Sequence, residues 1–129
     1  MAVTDLALNG RCLQSALIEY TLRMQLSDVY FIFIESPFTV DSHGEILWLS
    51  TEEDVDEAFQ PIRQLVGQTV KEVTADETGA LRICFSGGAR IHVPPDEAYE
   101  AWSVSGPDGT LVVCTPGGKL AIWSESSES

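Results

Sequence analysis

Carboxylates dominate the groups in this sequence that could do chemistry. Glu52, Glu53, Asp54, Asp56 and Glu57 put five acids into six positions, and Asp96, Glu97 and Glu100 follow the pair Pro94-Pro95. Neighbouring carboxyls can divide into an acid and a base when their surroundings separate their pKa values. A dense acidic run can instead be a docking surface, where opposite potential speeds the encounter with a basic partner and favours the right one. The first run otherwise reads as a solvated helix face. Pro-Pro-Asp-Glu reads as a turn entering Ala98-Tyr99-Glu100-Ala101-Trp102, with its acids in solvent and the two aromatic rings in or beside the core. The eight acids are therefore taken as candidate partner-binding residues, and none as catalytic.

Other reactive types lack companions. His43 falls in a turn, and His92 alternates with Ile91 in a strand, so it belongs at a sheet surface; the two do not occupy equivalent places and predict no metal site. Cys12, Cys84 and Cys114 are odd in number and widely spaced, with no Cys-x-x-Cys pair, and each sits in an apolar stretch as a small hydrophobe. No Gly-x-Ser-x-Gly elbow is present. Gly87-Gly88 and Gly117-Gly118 are not followed by the Lys-Ser/Thr of a phosphate loop and suit hairpin turns instead. No cofactor is expected.

The 129 residues carry 20 Asp and Glu against 7 Lys and Arg, a net charge of -13. Such a balance argues against binding nucleic acid by phosphate neutralisation and against docking on anionic lipid. The length suits one domain, spanning 1–123, with a sizeable core, and 44% hydrophobic content separates the chain from acidic disorder. No run approaches the roughly 18 apolar residues of a membrane helix. The amino terminus lacks a signal-peptide pattern, and a cytoplasmic location is expected.

The elements that must position these groups form a repeat. Leu8-Asn9-Gly10-Arg11-Cys12-Leu13 reads against Leu65-Val66-Gly67-Gln68-Thr69-Val70, and Leu22 to Ser27 against Leu81 to Ser86. Phe31-Ile32-Phe33-Ile34 falls on Arg90-Ile91-His92-Val93, Phe38-Thr39-Val40 on Trp102-Ser103-Val104, and Gly44-Glu45-Ile46-Leu47 on Gly109-Thr110-Leu111-Val112. Repeat 1 thus spans 8–49 and repeat 2 spans 65–123. Both alternate with the period of two expected of half-buried strands, as in Leu22, Met24, Leu26 and Leu81, Ile83, Phe85. Turn residues bound strands near 11–20, 22–26, 29–34, 37–41, 45–49, 68–75, 80–85, 89–93, 99–105, 110–115 and 119–123. Val29-Tyr30-Phe31-Ile32-Phe33-Ile34 is apolar throughout and predicts a central strand or a homodimer contact.

Between the repeats, residues 50–66 predict a short amphipathic helix. Ser50 and Thr51 supply caps, the acids suit the positive end of the dipole, and Val55, Ala58, Phe59, Ile62, Leu65 and Val66 make one apolar stripe. Pro61 predicts a break or restart, and Gly67 a stop. Residues 124–129 carry no apolar side chain and read as a solvated acidic tail. The fold class is mainly β (α+β), two pseudo-repeated antiparallel units joined by this helix.

Leu65-Val66-Gly67-Gln68-Thr69-Val70, Leu81 to Gly88, Tyr99-Glu100-Ala101-Trp102 and Pro116 to Trp123 resemble a family of small uncharacterised bacterial proteins, common in actinobacteria and classed as a domain of unknown function. Leu8-Asn9-Gly10 and Glu35-Ser36-Pro37-Phe38 resemble the opening of the same family. These motifs are structural and import no catalytic residue. Small acidic proteins of this kind resemble the immunity proteins of bacterial toxin systems in size and charge. The expected function is a protein-binding module, an immunity-type inhibitor that covers a basic partner with its acids. The alternative is a small-ligand binder or enzyme using a cleft between the repeats.

Overall fold

The computed structural model describes residues 3–123; the expected tail at 124–129 lies outside them. Twelve strands form two antiparallel sheets of six. They are β1 (Val3–Asp5), β2 (Leu13–Ile18), β3 (Leu22–Leu26), β4 (Tyr30–Ile34), β5 (Phe38–Ser42), β6 (Glu45–Leu49), β7 (Val70–Asp76), β8 (Leu81–Phe85), β9 (Arg90–Val93), β10 (Trp102–Ser105), β11 (Leu111–Cys114) and β12 (Leu120–Trp123). One sheet runs β1-β7-β8-β9-β5-β6 and the other β12-β11-β10-β4-β3-β2.

The two repeats exchange hairpins. β2-β3-β4 of repeat 1 is completed by β10-β11-β12 of repeat 2, while β7-β8-β9 of repeat 2 is completed by β5-β6 of repeat 1, with β1 outside β7. The registers match across the duplication: Ile32 pairs with Val104 where β4 meets β10, and Ile91 with Val40 where β9 meets β5. A bulge at Leu13/Ser15 in β2 recurs at Val70/Glu72 in β7. Around the single bridge Cys12↔Thr69 the two units bond to each other reciprocally. Leu13 N donates to Gln68 O and Val70 N to Arg11 O, both at 2.8 Å, and Gly67 N to Leu13 O and Gly10 N to Val70 O, again at 2.8 Å. Gly10 (φ +90) and Gly67 (φ +99) make the turns that bring the backbones to this corner. The repeat read from the sequence is therefore a structural one, with hairpins interchanged.

One core lies between the sheets. Leu22, Met24, Leu26, Ile32 and Ile34 on one side meet Val73, Ala75, Leu81, Ile83, Phe85, Ile91 and Val93 on the other, all buried. These are the alternate positions of each strand, so the pleat itself aims them inward. Cys114 is fully buried, whereas Cys12 and Cys84 are half-buried. Burial pushes the Cys114 thiol above its ordinary pKa. Placed between β3 and β10, β4 is a central strand; only Phe31 and Phe33 face outward, their rings stacked with centroids 6.1 Å apart.

The linker helix is shorter than 50–66. Residues 56–59 make a 3-10 turn and α1 covers only Gln60–Arg63. Ser50 gathers the preceding residues into a turn: its carbonyl accepts Asp54 N at 2.9 Å, and the Asp54 carboxylate accepts Ser50 N at 2.7 Å. Val55 is extended (φ -75, ψ 162), so the acids at 52–54 never enter the helix. Pro61 sits in the first turn of α1, where its missing amide costs nothing. Phe59, Ile62 and Leu65 bury the expected stripe, but Val55 and Val66 are exposed. Strand β1 was not foreseen; its three residues are all exposed and carry no pattern. The strand expected from 99 begins at Trp102, because residues 94–100 form the crossing from one sheet to the other.

The β3–β4 turn stores strain. Val29 has φ +64, a left-handed conformation hostile to a β-branched side chain, where the matching turn of repeat 2 has Gly88 at φ +99. Asp28 (φ +66) is held there by an ion pair with Arg11, whose guanidinium lies 4.0 Å from the centroid of the Tyr30 ring. In repeat 2, Gln68 serves the same turn by accepting from Gly87 N at 3.0 Å. Val29→Gly is expected to raise stability by about 1 kcal/mol, the left-handed strain relieved less the added entropy of the unfolded chain. Urea denaturation checks this, and a loss of stability would contradict it.

Candidate functional site

The crossings between sheets bring the acids together. Glu35-Ser36-Pro37 carries the chain from β4 to β5, and residues 94–101 carry it from β9 to β10. The two crossings are tied by Glu35 N donating to Ala101 O at 2.9 Å, with Ser36 Oγ at 3.5 Å from the same oxygen. Beside them opens a cleft of about 600 Å³ lined by Tyr20, Thr21, Glu35, Ser36, Pro37, Glu52, Asp96, Tyr99 and Glu100. Both repeats and the linker contribute to it.

Local bonds fix this wall. Asp96 Oδ1 accepts the amides of Ala98 (2.8 Å) and Tyr99 (3.1 Å), and its carbonyl accepts Gly117 N at 2.8 Å. On the opposite side Thr51 Oγ1 donates to Tyr20 O at 2.7 Å, which ties the β2–β3 turn to the acidic turn after β6. Tyr20 and Tyr99 remain 92% and 73% exposed, so each offers an open aromatic face at the cleft. Partial burial, and then the charge of Glu100, push the Glu35 carboxyl above the ordinary carboxylate range. Among the described residues no Lys or Arg lines this cleft. Among the described residues the ion pairs are Arg11–Asp28, Arg63–Asp56 and Arg90–Asp41, all elsewhere.

Of the eight acids singled out in the sequence, Glu52, Asp96 and Glu100 meet here. Glu53, Asp54, Asp56, Glu57 and Glu97 do not line the cleft. Asp54 closes the Ser50 turn and Asp56 pairs with Arg63 at 2.5 Å. Sequence reasoning missed Glu35 and Tyr20. Glu35 directly follows an apolar strand and Tyr20 stands in a turn, so only their shared position at strand ends hinted at a site.

A shallower groove continues from Tyr20, Thr21 and Glu35 past Leu17, Glu19, Arg23 and Phe33. A separate pocket of about 320 Å³ on the outer face of the other sheet gathers Asp76, Arg82 and His92. Burial acts to raise Asp76, but bonds from Thr78 Oγ1 and from the amides of Thr78 and Ala80, with the His92 charge, outweigh it and hold the carboxyl low. His43 is far from this in register, at the β5–β6 turn with φ +55. Among the described residues no group of three or more His, Cys, Asp or Glu is arranged to hold a metal ion. Among the described residues no helix is long and apolar enough to cross a membrane.

Fold and cleft together define an internally duplicated, hairpin-exchanged β protein with an acidic junction between its repeats. The chain belongs to a family of unknown function, DUF6188, whose model matches residues 4–124. No curated protein and no solved structure matches it.

Proposed function

We propose that this chain is a protein-binding module that takes a basic segment of its partner into the cleft formed by Glu35, Glu52, Asp96 and Glu100. The observation that carries this reading is the unrelieved charge of the cleft. Four carboxylates share one hollow that no Lys or Arg among the described residues lines, and burial first, then the charge of Glu100, push Glu35 above the ordinary carboxylate range. A lysine or arginine side chain would relieve that repulsion, and the open rings of Tyr20 and Tyr99 suit cation–π contact. Of the acids outside the cleft, Glu53, Asp54, Glu57 and Glu97 add long-range attraction, and Asp56 adds less because Arg63 offsets its charge. Occlusion of a basic surface in this way is how an immunity-type inhibitor in the cytoplasm would act.

Titration with an arginine-rich peptide by calorimetry tests the reading. Glu35→Gln with Glu100→Gln is expected to weaken binding by about tenfold at low salt, and wild-type affinity should fall as salt rises. A cation favours ionised Glu35, so affinity should also fall as pH drops through its raised pKa. Binding that ignores both the substitutions and the salt would refute the cleft as the site.

A second reading rests on the cleft's size, which lies within the range of small-ligand sites. On that view the cargo is a small organic cation, and a free polyamine would compete with the peptide on equal terms.

A further inference from the structure

The duplication exposes what β6 lacks. β11, its counterpart in repeat 2, is covered on its far side by β12, whereas among the described residues β6 pairs only with β5 and ends its sheet. That bare edge is apolar: Ile46, Leu47 and Trp48 are 65%, 44% and 63% exposed. Three consecutive large apolar residues on an uncovered edge strand are a pairing surface that natural sheets normally blunt with charge or proline. Ser42 and Glu45 flank a two-residue turn at His43 (φ +55) and Gly44 (φ +83), which makes them a hydrogen-bonded pair. By alternation Leu47 and Leu49 bond to β5, and the N–H and C=O groups of Ile46 and Trp48 point away from the sheet.

We propose that β6 is the contact between two copies of this chain, pairing antiparallel with β6 of the second copy about a two-fold axis at Leu47. Its own sequence fits that register. Ile46 would pair with Trp48 of the second copy and Leu47 with Leu47, each outward backbone group finding a partner. Within the chain, β11 and β12 make apolar pairs of a similar kind at two of the equivalent positions: Leu111, which matches Ile46, pairs with Trp123, and Val112, which matches Leu47, pairs with Ile122. No like charges are opposed, since Glu45 meets Leu49. The second copy thus supplies to repeat 1 the kind of strand that β12 supplies to repeat 2. An edge-to-edge contact of this sort is small, so the dimer is weak and reversible. The net charge of -13 opposes it at long range, and salt should strengthen it. Cleft binding has the opposite salt dependence, so either idea can fail without the other.

Sedimentation velocity from low micromolar to about 0.5 millimolar protein, at low and high salt, and hydrogen exchange at both ends of that range test the proposal. A dimer is expected whose formation protects the amides of Ile46 and Trp48, while those of Leu47 and Leu49 are protected at every concentration. Trp48→Lys should weaken it at least about tenfold, with thermal unfolding of the monomer little changed, and Ile46→Lys should do the same should the first variant fold poorly. A chain that stays monomeric throughout overturns the proposal and leaves the edge to a strand from a different protein. A dimer that survives both lysines also overturns it. Loss of that dimer on Phe31→Arg with Phe33→His, which copies the residues at the matching places in β9, would move the contact to the outer face of β4.

Discussion

Gly118→Ala is expected to lose about 3–5 kcal/mol of folding stability and to move the urea midpoint far below that of the wild type. A Cβ at residue 118 would stand 2.0 Å from the Thr78 carbonyl oxygen and 3.3 Å from Pro95 Cβ. The first neighbour is backbone, so no rotamer change relieves the clash. Gly118 also has φ +97, a conformation that costs an L residue about 1–2 kcal/mol by itself. The same packing is felt from the other side, where a Cβ on Gly79 would lie 2.1 Å from Gly118 O. The turns after β7 and β11 therefore touch backbone to backbone, and separating them costs about 3–5 kcal/mol, much of the stability of a typical domain. Gly117→Ala is the control. Gly117 has φ +89 but nothing within 4 Å of its added Cβ, so it should lose only about 1 kcal/mol. Equal urea midpoints for the two variants would show that the contact does not hold the fold.

Trp102→Ala should cost about 3–5 kcal/mol through the cavity it leaves. Trp102 is fully buried at the start of β10, the strand that repeat 2 lends to the sheet of repeat 1. Its Nε1 donates to Gly79 O at 2.9 Å, and Cys114 Sγ approaches the same oxygen at 3.3 Å. The indole therefore packs the core and also secures the turn that Gly118 presses against. Trp102→Phe separates those roles. Phe38 occupies the equivalent place in β5 and is also fully buried, so a phenyl ring is compatible with the site, and the lost bond should cost about 1–2 kcal/mol. Chemical denaturation with near-ultraviolet dichroism distinguishes the cases. The effects of Trp102→Ala and Gly118→Ala should be non-additive because both act through the 76–79 turn.

Much of the architecture was legible because it is local. Leu22, Met24 and Leu26 alternate with Arg23 and Gln25, and that period places them on the core side whichever strand lies next door. Ser86-Gly87-Gly88 and His43-Gly44 mark reversals because the backbone there must reach positive φ. The helix expected over 50–66 is confined to residues 56–63. Its stripe is real at Phe59, Ile62 and Leu65, but side-chain and backbone bonds around Ser50 turned the acids into a loop. The acids of the cleft were legible as types, and Glu52, Asp96 and Glu100 do converge; Glu35 and Tyr20 were not, because nothing local marks a residue as facing another loop.

From residue order alone come the strands, their turns, the duplication and the acidity, since alternation, glycine and charge act within a few positions. The exchange of hairpins between repeats, the backbone contact of Gly79 with Gly118, the bare edge of β6 and the meeting of Glu35 with Glu100 belong to the folded chain. Period-two patterning states which face of a strand is buried and is silent about its neighbour. That choice follows from how two similar units share one core, and only their packing makes it.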